Sequence, residues 1–84
     1  MRLFTLYIPS EQKVSEPLMN LLEFVDFAGY HVKEFDNSAI LDDHIRALED
    51  LGYKWFVQYT FDDPFDNGVK VFNNITEWSK WYND

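Results

Sequence analysis

Apolar residues recur along this chain with two different periods, one typical of helices and one typical of strands. The first helical set consists of Leu18, Leu21, Leu22, Val25 and Ala28. Their spacing of three or four residues predicts a helix that Ser15 caps and Gly29 ends, because small polar residues begin helices and glycine commonly follows the last turn.

A second helical stripe consists of Leu41, Ile45 and Leu48. It predicts a helix over residues 39–51, capped by Asn37 or Ser38 and stopped at Gly52. The sequence Asn74-Ile75-Thr76-Glu77 has the form of a capping box and opens a third helix. The buried candidates of this third helix are Ile75, Trp78 and Tyr82.

Strands are predicted where side chains alternate in polarity or form short apolar runs. The clearest covers residues 54–61, with one face formed by Trp55, Val57, Tyr59 and Phe61. Residues 1–9 form another, and residues 30–35 are expected at a sheet edge because both faces are of mixed polarity. Residues 62–68 turn the chain, with Asn67-Gly68 as a hairpin signal, and residues 69–72 return.

The predicted elements follow the order β-α-β-α-β-β-α. For 84 residues this order indicates a single small two-layer α+β domain spanning residues 1–84. The helices are expected to pack on one face of a mixed or antiparallel sheet. The order of the strands within that sheet stays open.

Composition adds a contrast between the interior and the surface. The chain has three Trp, five Tyr and eight Phe, yet its formal charge is −8, from fifteen acids and seven bases. The aromatic residues indicate a packed core, and the acids indicate a surface of one sign. Cysteine is absent, and no apolar run reaches the roughly 18 residues that span a bilayer. We therefore expect a cytoplasmic protein that does not bind membranes.

Catalytic and metal-binding signatures are weak, so we expect no enzyme, no cofactor and no metal site. Residues 62–68 resemble a calcium loop, but Pro64 stands where that loop needs its second ligand. His44 lies near the apolar stripe of the second helix and is expected to be structural, and His31 lies on a strand away from it. The negative charge also opposes direct binding of nucleic acid.

The acids of the second helix form the main candidate for a binding site. Asp42, Asp43, Glu49 and Asp50 lie on an arc opposite the buried stripe and form a predicted negative ridge. Further candidates come from the first predicted helix, namely Glu23, Asp26 and Phe27. Phe24, Phe56 and Trp81 are aromatic residues that belong either to the core or to a contact surface.

The leading hypothesis is a non-enzymatic inhibitor that docks this ridge on the basic, nucleic-acid-binding face of a partner enzyme, as a mimic of nucleic acid. Inhibitors of restriction or CRISPR nucleases from phages and plasmids, and antitoxins of RNases, share this small size and negative charge. The alternative is a structural or accessory subunit that self-associates, for example as a homodimer, or pairs through a strand edge and exposed aromatic residues. A small hydrolase that uses paired acids ranks last.

Overall fold

The computed structural model describes residues 2–11 and 24–83, which form a five-stranded antiparallel sheet and two helices. The strands are β1 (Arg2–Pro9), β2 (Val25–Phe27), β3 (Tyr30–Phe35), β4 (Phe56–Asp63) and β5 (Asp66–Phe72), and the helices are α1 (Ser38–Asp50) and α2 (Ile75–Tyr82). The strands lie in the order β2-β3-β1-β4-β5. The predicted α+β class is confirmed.

β1 is the central strand, because it pairs with β3 on one side and with β4 on the other. Its side chains alternate between the two faces of the sheet. Phe4, Leu6 and Ile8 are buried, and the ring of Phe4 meets Trp78 of α2 edge to face at 6.1 Å. Tyr7 and the residues that alternate with the buried ones, such as Thr5, face the other side, which we call the open sheet face.

The hairpin between β2 and β3 replaces the predicted end of the first helix. Phe27 pairs with Tyr30, and the two turn residues have positive φ, +52° at Ala28 and +83° at Gly29. This combination defines a type I′ turn, whose twist matches that of paired strands. Gly29 therefore closes a hairpin, and the helical prediction is wrong from Val25 onward. The remainder of that predicted helix, residues 15–23, lies outside the described residues.

The element order differs from the prediction because of this hairpin. The described residues follow the order β-β-β-α-β-β-α. β3 has the predicted bounds, Tyr30–Phe35, but it is not an edge strand, since β2 pairs with its outer side. The edges of the described sheet are β2 and β5.

The hairpin between β4 and β5 turns earlier than predicted. Asp63 pairs with Asp66, which leaves Pro64 and Phe65 as the two turn residues. Proline fixes the φ angle that the first position of a common turn requires. Asn67-Gly68, the predicted turn signal, lies within β5, where Gly68 pairs with Phe61.

Both helices begin at the predicted asparagine caps. The side-chain oxygen of Asn37 accepts a hydrogen bond of 2.8 Å from the backbone N–H of Ala39, and that of Asn74 accepts one of 2.8 Å from Glu77. Gly52 follows α1 with φ at +74°, as a C-terminal glycine does. Local residues thus fix the start of both helices and the end of α1.

The hydrophobic core lies between the helices and the inner face of the sheet. Most of the predicted buried stripes are confirmed. The core residues are Phe4, Leu6, Ile8, Phe35, Leu41, Ile45, Leu48, Trp55, Val57, Tyr59, Phe72 and Trp78. Ile75, Tyr82 and Phe61 are partly buried against this cluster.

Candidate binding surface

The side of α1 that faces away from the core combines acidic and aliphatic side chains. Asp43 and Asp50 are exposed, and Ile40 and Leu51 keep 51% and 49% of their surface in contact with solvent. We call these four residues the α1 outer face. On an α-helix Asp43 and Asp50 project in nearly the same direction, and Ile40 and Leu51 form an adjacent row.

Asp42 does not belong to this surface, although the sequence predicts it there. It is buried, with 8% of its surface exposed. Its Oδ1 accepts a hydrogen bond of 2.7 Å from Nε1 of Trp78, and its Oδ2 accepts one of 3.0 Å from Nε of Arg46. Asp42 precedes Ile45 by one helical turn and faces α2. The predicted four-residue ridge is therefore interrupted at this end.

Glu49 lies at the surface but also contacts a core residue. Its side chain is exposed, but its Oε1 accepts a hydrogen bond of 2.7 Å from Nε1 of the buried Trp55. Glu49 thus connects the last turn of α1 to the segment that precedes β4. Of the four predicted ridge acids, Asp43 and Asp50 have no such contact among the described residues.

Asp26 and Phe27 lie on β2, at the far edge of the sheet from β5. Oδ1 of Asp26 lies 2.6 Å from Nδ1 of His31, its cross-strand partner. Phe27 is 67% exposed and lies on the open sheet face, opposite the helix layer. The structure therefore does not join Phe27 to the α1 outer face. Glu23, the remaining candidate, lies outside the described residues.

The open sheet face is a second apolar surface, which the sequence analysis did not identify. The rings of Tyr7 and Phe56 stack at 4.4 Å, and Tyr30 meets both edge to face. Val25 and Phe27 extend this surface to the β2 edge, where they help to line a groove of about 440 Å³. The sequence signal was present: β1 and β4 carry large apolar side chains on both of their faces.

The other aromatic candidates divide between the two sides of the sheet. Phe24 and Trp81 pack against the core, and Trp81 contacts the rings of Phe4 and Tyr59 at 5.7 and 5.0 Å. Phe56 belongs to the open sheet face. Phe24 and Trp81 are therefore core-rim residues, and Phe27 is the most exposed aromatic residue of this set.

Most carboxylates of the described residues are exposed, whereas the two arginines already have acidic partners. Arg46 pairs with Asp42, and Nη2 of Arg2 lies 3.6 Å from Oδ2 of Asp63. Lys33 Nζ lies 5.0 Å from the ring centre of Phe35. The exposed surface is therefore predominantly negative, as the composition predicts.

Residues 2–11 and 24–83 contain neither a cluster of metal ligands nor a helix that could span a membrane. There, no three His, Cys, Asp or Glu side chains are grouped as ligands for a metal ion. Neither α1 nor α2 has the length and apolar composition that crossing a bilayer requires. His44 is partly buried, and its Nδ1 lies 2.9 Å from the carbonyl oxygen of Ile40, in keeping with a structural histidine.

Comparison with known proteins finds no significant relative of this chain. No protein-family model matches the chain, and neither a curated protein nor a solved structure is significantly similar to it.

Proposed function

We propose that this chain is a non-enzymatic acidic protein that docks the α1 outer face on the basic, nucleic-acid-binding surface of a partner protein. One observation carries the proposal: Asp43 and Asp50 are exposed beside the half-exposed aliphatic residues Ile40 and Leu51. Carboxylates of this kind steer a basic partner, and adjacent apolar side chains supply area that the contact removes from water.

The spacing of the two carboxylates suits a surface that binds nucleic acid. Asp43 and Asp50 are seven residues apart, which corresponds to about 10 Å along a helix axis. Three nucleotides of one DNA strand rise by about the same distance. Lysine and arginine side chains arranged for phosphates can therefore meet these carboxylates.

The two acids that bond buried indoles, Asp42 and Glu49, contribute to this surface by holding α1 in place. Asp42 accepts a hydrogen bond from the indole of Trp78 on α2, and Glu49 accepts one from the indole of Trp55. Both indoles belong to buried residues, so the helix is attached to the core at two points. A helix fixed in this way presents Asp43 and Asp50 without a large loss of conformational entropy on binding.

Affinity capture from an extract of the native cell tests the proposal. The wild-type chain should retain a basic nucleic-acid-binding protein at low salt and lose it as the salt concentration rises. The double variant Asp43→Lys/Asp50→Lys should fail to retain it. A matched control, Glu11→Lys/Glu34→Lys, makes the same change in charge at exposed sites elsewhere and should retain it. Equal capture by both double variants would exclude the α1 outer face.

A second candidate function, that of a structural or accessory subunit, is favoured by a different observation. Val69 and Val71 on the edge strand β5 are 56% and 62% exposed, and Phe27 on the other edge strand is 67% exposed. Edge strands with exposed apolar side chains tend to pair with other chains. Association of this kind should persist at salt concentrations that abolish a purely electrostatic contact.

A further inference from the structure

β5 is an edge strand of the described sheet, and the register of its hairpin determines which of its backbone groups point away from β4. Asp63 and Asp66 flank a two-residue turn, and such a turn closes with a hydrogen-bonded pair. Every second residue of β5, beginning with Asp66, therefore forms backbone hydrogen bonds with β4. The N–H and C=O groups of Asn67, Val69 and Val71 consequently point away from the described sheet.

Several side chains on and beside this edge also lack partners within the described residues. Phe65 at the turn is fully exposed, at 101% of its reference surface, and Val71 is 62% exposed. Asp66 and Lys70 are exposed and take part in no ion pair among the described residues. Asp66 even lies opposite Asp63, and directly opposed like charges destabilise a hairpin.

We propose that β5 pairs in antiparallel fashion with β5 of a second copy of this chain, across a two-fold axis at Gly68. Residues at equal distances before and after Gly68 then face each other. Asp66 lies opposite the partner's Lys70, and Phe65 lies opposite the partner's Val71. Because the axis is two-fold, each of these contacts forms twice.

The backbone supports the same register. With the axis at Gly68, Asn67 faces the partner's Val69, and both of these residues have N–H and C=O groups that no described strand pairs with. They form the hydrogen-bonded pairs of the new ladder. The side chains of Asp66 and Lys70 point to one face, since both help to line a shallow depression beside Trp81. Opposed residues of two paired strands share a face, so these two charges can meet.

Neighbouring registers satisfy fewer of these groups. An axis at Lys70 would place two lysines directly opposite each other, which is unfavourable. An axis at Val69 would place Asp66 opposite the partner's Phe72 and leave both charges without a partner. Gly68 is the position in residues 67–70 about which the charges of Asp66 and Lys70 become complementary.

The dimer should be weak, because strand pairing over residues 65–71 makes a small interface and both copies are acidic. Sedimentation velocity from micromolar to millimolar protein measures its association constant. The wild-type chain should pass from monomer to dimer as its concentration rises. Asp66→Lys and Lys70→Asp should each weaken the dimer at least about tenfold, since each replaces two attractive pairs by two repulsive ones.

The double variant Asp66→Lys/Lys70→Asp restores complementary charges and should dimerise within about threefold of the wild type. Asp43→Lys is the matched control, because it changes the net charge as Asp66→Lys does but lies on α1. Asp66→Lys and Asp43→Lys each make the net charge less negative and so reduce the overall repulsion between copies. A mechanism that depends on net charge alone therefore predicts tighter association of both of these variants. A monomer at every concentration, tighter association of Asp66→Lys, or no recovery in the double variant would overturn the proposal.

Discussion

Replacement of Asp42 by alanine should destabilise this protein far more than the same replacement at Asp43. Asp42→Ala leaves the Nε1–H of the fully buried Trp78 without an acceptor, which costs about 1–3 kcal/mol. It also removes the ion pair with Arg46, worth about 0.3–0.5 kcal/mol. Alanine returns about 0.5 kcal/mol through its higher helix propensity. The expected net loss is about 2 kcal/mol.

Urea denaturation followed by circular dichroism measures this loss, and thermal unfolding should show a Tm lower by about 8–16 °C. Asp43→Ala is the control, because it removes the same charge from the adjacent, exposed position and should leave the midpoint unchanged or slightly raised. Equal losses in the two variants would refute the assignment of Asp42 to the interior. An unchanged midpoint for Asp42→Ala would refute it as well.

Two further predictions concern the β2–β3 hairpin and the aromatic residues. Ala28→Asn should raise the free energy of unfolding by about 0.5–1 kcal/mol, because asparagine tolerates the positive φ of a type I′ turn better than alanine does; a loss in urea denaturation would contradict the turn assignment. Phe27→Ala should cost little stability because Phe27 is 67% exposed, whereas Phe35→Ala in the core should cost about 3–5 kcal/mol. Similar losses for both phenylalanines would mean that the β2 edge is covered.

The helices and the central strands could be predicted because their signals are local. Asn37 and Asn74 cap helices within three residues of themselves. The Leu41, Ile45 and Leu48 stripe and the alternation through Val57 and Tyr59 each identify a buried face without reference to the rest of the chain. Local agreement of this kind made the α+β class accessible from the sequence.

The β2–β3 hairpin could not be predicted in the same way. Glycine with positive φ ends helices and also completes type I′ turns, so Gly29 is compatible with both. Val25 fits a helical repeat with the preceding leucines, but it equally fits a strand in which Phe24 and Asp26 face the opposite side. The pairing of Val25 with Val32 decides between them, and pairing is a tertiary property.

The burial of Asp42 in the candidate site also depends on tertiary structure. Asp42 and Asp43 are adjacent and chemically identical, yet one is buried and the other is exposed. The difference arises from Trp78, which lies 36 residues further along the chain. A helical projection places Asp42 beside the apolar stripe and not opposite it, as the predicted ridge assumed, and the position of α2 determines that it faces inward.

Competition between this protein and nucleic acid for the captured partner tests the central claim most directly. Fluorescence anisotropy of a labelled oligonucleotide bound to the partner should fall as the wild-type chain is added, because both ligands occupy one basic surface. Asp43→Lys/Asp50→Lys should require a much higher concentration to displace the oligonucleotide, and Glu11→Lys/Glu34→Lys should behave as the wild type does. Formation of a ternary complex, in which the oligonucleotide stays bound at saturating protein, would contradict the account.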